Sequence, residues 1–233
     1  MKLFVPWYGY LVLIMLFFML SIPRLFLPNY LVGQLEQVIQ DQFQPDSLEV
    51  EIETRFGWEL LGGYFDAVKI QGEGFRYQQL PIDTFSLVSS GLSIDIRDLV
   101  RNGQVVYEGS DDLQVVLTVT EAGLNEYFWN HVDPQKNFLI DVQPEGALLA
   151  GEIFFLNRRW DLQLFGLFRI RQGTQVLFVP QELAVQETRI PRLLLELISE
   201  QYEMVIDFVD LLIPIEVESV ELLENQVILR GRA

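Results

Sequence analysis

A stretch of 20 residues without a charged side chain, Leu3 to Ile22, most restricts how this chain can fold. At about 1.5 Å per residue, a helix of that length covers roughly 30 Å, the thickness of a bilayer's hydrocarbon core. The apolar run is longer than in a cleaved signal peptide, and no small-residue cleavage site follows it. The sequence therefore predicts an uncleaved signal-anchor over residues 1–27 with a membrane span from Leu3 to Ile22. A cleaved signal peptide is the alternative.

The charges that flank this stretch give a slight bias in orientation. Lys2 and the terminal amine stand on one side and Arg24 on the other, which favours a cytoplasmic N-terminus. Residues 28–233 would then form a single domain outside the cytoplasm.

The charge balance and the absence of cysteine exclude several classes of function. Residues 28–233 hold 14 basic and 33 acidic residues, and the whole chain has a formal net charge of −17. Such a domain repels phosphate backbones, so we expect no nucleic-acid partner. With no cysteine, the chain has no disulfide framework and no thiolate chemistry.

Hydrophobic periodicity predicts an α+β domain that is mostly antiparallel. Apolar residues from Leu31 to Phe43 form one helical stripe, and "LEVEIET" from residue 48 alternates strictly, as in a half-buried strand. Further short strands follow, separated by turn residues, and a strand from Tyr64 is expected to end before Gly72 and Gly74.

Two predicted elements carry more apolar surface than an ordinary surface element. A helix from Arg192 to Ile213 would have one narrow polar stripe and would be apolar over more than half of its circumference. A strand from Arg159 to Gln172 exceeds the usual five or six residues, and Gly166 would ease a bend in it. Together they predict an elongated, curved antiparallel sheet that wraps around the long amphipathic helix.

The segment "TVTEAGLNEYFWNHV" from residue 118 runs from a strand into a short helix that carries Leu124, Tyr127, Phe128 and Trp129 within two turns. This apolar surface faces either a dry core or an apolar trough that holds lipid chains. Periodicity alone does not separate the two interpretations, because both need excess apolar surface.

No pattern of residues indicates a catalytic or metal site. The single histidine, His131, is expected to be structural, and "DIRD" at residues 95–98 is expected to be surface charge or a cap. Nucleophile, phosphate-loop, dinucleotide and metalloprotease motifs do not occur. We therefore predict no enzymatic activity, no catalytic residue, no metal and no cofactor.

Several segments, in their order along the chain, resemble the LmeA-like phospholipid-binding family of bacterial envelope proteins. They are "GGYFDAVKIQGEGF", "LSIDIRDLV", "LTVTEAGLNEYF", "IPRLLLEL" and "VESVELLENQVILRGR". The resemblance implies an anchored or exported protein that binds phospholipid. It also implies a fold related to the tubular lipid-binding class, in which a curved sheet wraps a long helix beside an apolar groove.

The resemblance favours the lipid interpretation of the apolar faces. It predicts a single-pass protein of the bacterial inner membrane whose domain lies on the periplasmic side, holds acyl chains in a groove, and serves lipid transport or envelope maintenance. Trp129 is expected at the rim with its N–H towards water. The alternative is a membrane-tethered acidic adaptor with a dry core that binds a partner protein. The residues predicted to line the groove are Leu124, Phe128, Trp129, Leu164, Phe168, Leu194 and Ile198.

Overall fold

The computed structural model describes residues 7–155, 158–185 and 204–233. Within these ranges three α-helices and two antiparallel sheets form an α+β architecture, as the sequence predicts. The helices are α1 (Trp7–Phe43), α2 (Ile96–Asn102) and α3 (Glu121–His131), with a 3₁₀ helix at Glu59–Gly62. The strands are β1 (Ser47–Glu53), β2 (Tyr64–Tyr77), β3 (Leu80–Ile94), β4 (Tyr107–Gly109), β5 (Asp112–Thr120), β6 (Phe138–Gln143), β7 (Gly146–Phe155), β8 (Arg158–Arg171), β9 (Gln175–Val185), β10 (Val205–Asp207), β11 (Glu216–Leu223) and β12 (Gln226–Arg232).

The larger sheet curls into a half-barrel, and the smaller sheet lies against one end of it. In the larger sheet the strand order is β1-β2-β3-β5-β12-β11, with β4 paired to the end of β3. In the smaller sheet the order is β10-β9-β8-β7-β6. Strands β11 and β12 pack against β6 and β8, so the buried residues of both sheets form one continuous core.

Strands β2 and β3 form a hairpin that is longer than the sequence predicts, because β2 continues through Gly72 and Gly74. Gly74 and Gly91 adopt positive φ values of 72° and 60°, which L-residues rarely adopt. At each of them the alternation of buried side chains shifts by one residue while the pairing register is kept. The strand segments on either side of each glycine therefore turn their apolar side chains towards the same concave face.

Helix α1 extends without interruption through Pro23 and Pro28. A proline inside a helix costs about 3 kcal/mol, and Pro23 is buried where α1 contacts the loop at Gly57. Within the ranges that the structure describes, no helix combines the length and apolar character needed to cross a membrane. The predicted span from Leu3 is thus not supported, and its first four residues lie outside those ranges.

The predicted helix from Arg192 to Ile213 is wrong over the part that can be compared. Residues 205–207 form β10, which pairs with β9, and residues 208–213 are irregular. Met204, Ile206 and Phe208 are buried at every second position, as in a strand. The predicted helix is apolar over more than half of its circumference and accommodates the same residues, so the sequence pattern does not distinguish the two structures. Residues 192–203 lie outside the described ranges.

The helix that the larger sheet partly encloses is instead the second half of α1. Leu31, Leu35, Val38 and Ile39 are buried on the stripe that the sequence predicts, and they pack against β1 and β2. The sequence thus predicts this apolar stripe of α1 but does not predict that the larger sheet encloses it.

Helix α3 covers the exposed edge of the smaller sheet. Four side chains at every fourth position, three on α3 and one just beyond its end, form hydrogen bonds with backbone groups of edge strand β6. Without them, this side of β6 would be an unpaired edge. Val142 N–H donates to Glu121 Oε2 at 2.9 Å, and Phe138 N–H donates to Asp133 Oδ2 at 2.8 Å. Asn125 accepts a bond from Ile140 N–H at Oδ1, at 2.7 Å, and donates one from Nδ2 to the Ile140 carbonyl at 2.8 Å. Trp129 Nε1 donates to the Phe138 carbonyl at 2.8 Å.

Candidate functional site

An apolar cavity lies between the second half of α1 and the concave face of the larger sheet. Nineteen of the described residues line it, all of them hydrophobic, and among these the hydroxyl of Tyr77 is the one polar side-chain group. On β3 the lining extends from Ile82 to Ile94, roughly 40 Å along an extended strand. The lining consists of Leu35, Ile39, Phe43, Val68, Ile70, Phe75, Tyr77, Ile82, Phe85, Leu87, Leu92, Ile94, Val105, Leu117, Phe208, Leu211, Leu212, Ile213 and Ile215.

The side of the cavity that neither α1 nor the larger sheet covers is formed by residues 204–215, here called the wall segment. Backbone bonds tie it to β9 and the turn before it: Phe178 N–H donates to the Met204 carbonyl at 3.0 Å, and Phe208 N–H donates to the Thr174 carbonyl at 2.9 Å. The Tyr127 hydroxyl donates to the Val205 carbonyl at 2.9 Å. The rings of Tyr77 and Phe208 are stacked, with centroids 5.8 Å apart. The wall segment is therefore held by its short pairing with β9, by two tyrosines, and by side-chain bonds from Gln175 to Asp207 at 2.6 Å and from Gln78 to Asp210 at 3.4 Å.

The cavity is narrow and partly open. Its cavity volume is about 80 Å³, and the unfilled space between its lining atoms, which includes open solvent, is about 850 Å³. Phe43, Phe85, Val105, Leu211 and Leu212 are lining residues that stay half-buried, and they mark where the cavity meets solvent.

Comparison with known proteins bears on what such a cavity holds. A model of one family, described as LmeA-like phospholipid-binding, matches residues 24–232. The chain belongs to the LmeA-like phospholipid-binding family. No curated protein and no solved structure matches the chain significantly, and the relation to the tubular lipid-binding fold stays a prediction.

The family match includes every described residue of the cavity lining, but these residues include none of the five described side chains that were predicted to face lipid. Leu124 and Phe128 are almost fully buried between α3 and the two sheets. Leu164 and Phe168 are buried on the predicted face of β8, where the pairing with β9 shifts at Gly166. Leu194 and Ile198 lie outside the described residues.

The structure corrects the predicted orientation of Trp129. Its indole N–H does not point to water but donates to the Phe138 carbonyl at 2.8 Å, and Lys136 Nζ lies 4.7 Å from its ring centroid. The indole thus fastens α3 to β6. His131 is structural as expected, since its Nδ1 lies 2.9 Å from the Tyr127 carbonyl and its ring stacks on the Tyr127 ring.

Some of the cavity residues belong to patterns that the sequence shows and others do not. Leu35, Ile39 and Phe43 are on the predicted stripe of α1, and Val68 and Ile70 are on the strand predicted from Tyr64. Phe75 and Tyr77 lie beyond the predicted end of that strand. What was missing is the pairing that brings these strands and α1 around one space. Because Gly74 and Gly91 shift the alternation, the continuous concave face is hidden in the sequence.

Burial raises the pKa of Tyr77 to about 12, and the nearby carboxylates of Asp210 and Asp207 act in the same direction. Burial also raises the pKa of Tyr127, again with a contribution from Asp207. The Tyr77 hydroxyl therefore stays protonated in the folded state above pH 10, and the raised pKa of Tyr127 favours the protonated hydroxyl that its hydrogen bond to the wall segment requires.

This shift predicts a loss of stability at high pH. Between about pH 10 and about pH 12 the unfolded chain releases the Tyr77 proton and the folded protein keeps it. The unfolded state then binds fewer protons, so the free energy of unfolding falls as the pH rises through this window. We expect Tyr77→Phe to flatten that decline, measured as urea midpoints at successive pH values. Replacement of exposed Tyr64 by phenylalanine is the control, and equal slopes for both variants would contradict the prediction.

Proposed function

We propose that this protein binds one phospholipid, with its acyl chains in the apolar cavity and its headgroup in water at the opening. The observation that carries the proposal is a lining of nineteen hydrophobic residues in a long, narrow space. A lipid chain needs apolar surface and no directional partner, and each buried methylene contributes about 0.8 kcal/mol. Membership of a phospholipid-binding family supports the same assignment.

Binding on this proposal requires the wall segment to move. A cavity volume of about 80 Å³ is far below the roughly 300–1,000 Å³ of typical ligand pockets. The wall segment contributes five lining side chains, and the backbone bonds that tie it to β9 and the preceding turn lie at its start, between residues 204 and 208. Outward displacement of Leu211 and Leu212 would widen the cavity.

We further propose that α1 attaches the protein to the bacterial inner membrane with the domain on the periplasmic side, where it serves lipid transport or envelope maintenance. Supporting this, Tyr10, Leu11, Val12, Ile14 and Met15 are all exposed on the first half of α1. Exposed apolar surface of this extent indicates an interaction site. Full-length protein that fails to float with liposomes would contradict the attachment.

A charge placed at the cavity opening should abolish lipid binding without unfolding the protein. Leu212 lines the cavity and is half-buried, so Leu212→Glu puts a carboxylate where acyl chains would pass while leaving it access to water. We expect native mass spectrometry of the full chain, followed by lipid extraction, to show a stoichiometric phospholipid on the wild type and at least a tenfold reduction in this variant.

The matched control is Leu222→Glu, at an equally half-buried leucine on β11 that does not line the cavity. It should retain phospholipid like the wild type, and both variants should keep the wild-type circular dichroism spectrum. Wild-type protein without lipid, and without uptake from vesicles, would contradict lipid binding and favour the adaptor hypothesis with a dry core.

A further inference from the structure

A second apolar surface lies away from the cavity, on the loop between β1 and β2. Phe56, Trp58, Leu61 and Tyr64 are 67%, 39%, 53% and 40% exposed. We call these four side chains the aromatic loop surface. Single exposed apolar residues are ordinary, but four large ones within nine positions form a patch of the kind that marks an interaction site.

Internal bonds and a buried anchor hold this loop in place. Gly57 N–H donates to Thr54 Oγ1 at 3.1 Å, and Arg55 N–H donates to Asp66 Oδ2 at 2.7 Å. Leu60, in the 3₁₀ helix, is fully buried beneath the loop, and Gly63 closes that helix in the left-handed conformation. The loop is therefore ordered, and its conformation holds the aromatic side chains towards solvent.

The loop touches α1 at the point where the helix leaves the domain. A methyl group on Gly57 would lie 2.6 Å from the backbone nitrogen of Arg24 and 2.8 Å from the carbonyl carbon of Pro23, so the two backbones are in direct contact. The next residues of α1, Leu25 and Phe26, are 65% and 67% exposed. The aromatic loop surface therefore continues the exposed apolar surface of α1.

From this continuity we infer that the aromatic loop surface docks on a lipid bilayer and seats the domain against the membrane. Tryptophan and tyrosine favour the headgroup region, because an apolar ring carries a polar tip there. Arg24 and Arg55 flank the surface, while Glu53, Glu59 and Asp66 lie near it in the chain, so it carries no excess of positive charge. With a net charge of −17, the docking must be apolar and should need no anionic lipid.

The inference rests on the membrane attachment proposed for α1 and is independent of the lipid cavity. It adds that the domain itself contacts the bilayer through a second element. If α1 alone entered the bilayer, the loop would lie near the membrane through its contact with α1, but Trp58 would stay in water.

Quenching by bromine-labelled acyl chains tests whether Trp58 enters the bilayer. The full chain carrying Trp7→Phe, which removes the tryptophan nearest the N-terminus, is reconstituted into vesicles of brominated phosphatidylcholine. Its remaining tryptophans are Trp58, Trp129 and Trp160. We expect the added substitution Trp58→Phe to abolish most of the lipid-dependent quenching, whereas Trp160→Phe, on the smaller sheet, should leave it largely intact.

A second pair of variants leaves all reporter tryptophans in place. Phe56→Ser with Leu61→Ser should reduce the quenching of Trp58 several-fold, and Val88→Ser with Phe154→Ser, at exposed apolar positions elsewhere, should not. Quenching that is the same with and without Trp58, in protein that floats with the vesicles, would overturn the inference and leave the attachment by α1 standing.

Two further outcomes would also overturn it. Protein that does not float at all would refute both the docking and the attachment. A Trp58 emission maximum that shifts with protein concentration, without quenching by brominated lipid, would assign the surface to a second copy of this chain. In each case lipid retention by native mass spectrometry reports on the cavity separately.

Discussion

Replacing Asn125 by leucine is expected to lower the free energy of unfolding by about 2 to 6 kcal/mol, since each of two buried backbone groups left without a partner costs about 1–3 kcal/mol. The Asn125 side chain is 3% exposed and bonds both the N–H and the C=O of Ile140, at 2.7 and 2.8 Å. Leucine has nearly the same size and can bond neither group. Whole domains are stable by only about 5–15 kcal/mol, so the loss is large.

The control for this variant is available one turn further along the same helix. Asn130 is exposed, and Asn130→Leu should change the free energy of unfolding by no more than about 0.5 kcal/mol. Urea unfolding followed by circular dichroism measures both variants. If Asn125→Leu cost no more than Asn130→Leu, the side-chain bonds to β6 could not be what holds α3 on the edge of the smaller sheet.

The sequence predicts that α3 exists and how it begins, because Thr120 is a local capping signal, and its hydroxyl does accept from Gly123 N–H at 3.2 Å. It does not predict what α3 contacts. The aromatic residues of α3 suggest a ligand-binding surface, whereas the pattern predicts that Glu121 and Asn125 belong to a solvent-exposed polar face. Their partners are backbone groups of a strand about 15 to 20 positions away. Every residue has the same backbone groups, so the sequence does not indicate which of them bind these side chains.

The C-terminal part of the chain illustrates a different limit. From Met204 to Phe208, alternate burial and a helical stripe select overlapping sets of apolar residues, and pairing with β9 decides between them. The apolar character of the site was therefore predictable, while its location was not. Excess hydrophobic surface follows from composition, but a cavity depends on which faces the long β2–β3 hairpin and α1 turn towards each other.

Phe128→Ala is expected to lower the free energy of unfolding by about 3–5 kcal/mol, the usual cost of removing a buried phenylalanine ring. Phe128 is 1% exposed and belongs to the common core of the two sheets. The control is Phe154→Ala on β7, where the ring is 72% exposed and the change should stay within about 0.5 kcal/mol. Urea unfolding of the full chain measures both.

The same variant decides between the two interpretations of the apolar face of α3. If Phe128 is a core residue, the folded fraction of Phe128→Ala should retain as much phospholipid per molecule as the wild type, because the cavity lining is untouched. If Phe128 lined a lipid groove, truncation would weaken lipid retention and cost little stability, since water or lipid would already reach the ring. A core role therefore predicts lower stability with unchanged lipid content, and a groove role predicts nearly unchanged stability with lower lipid content. Measuring both quantities on one purified variant separates the two hypotheses.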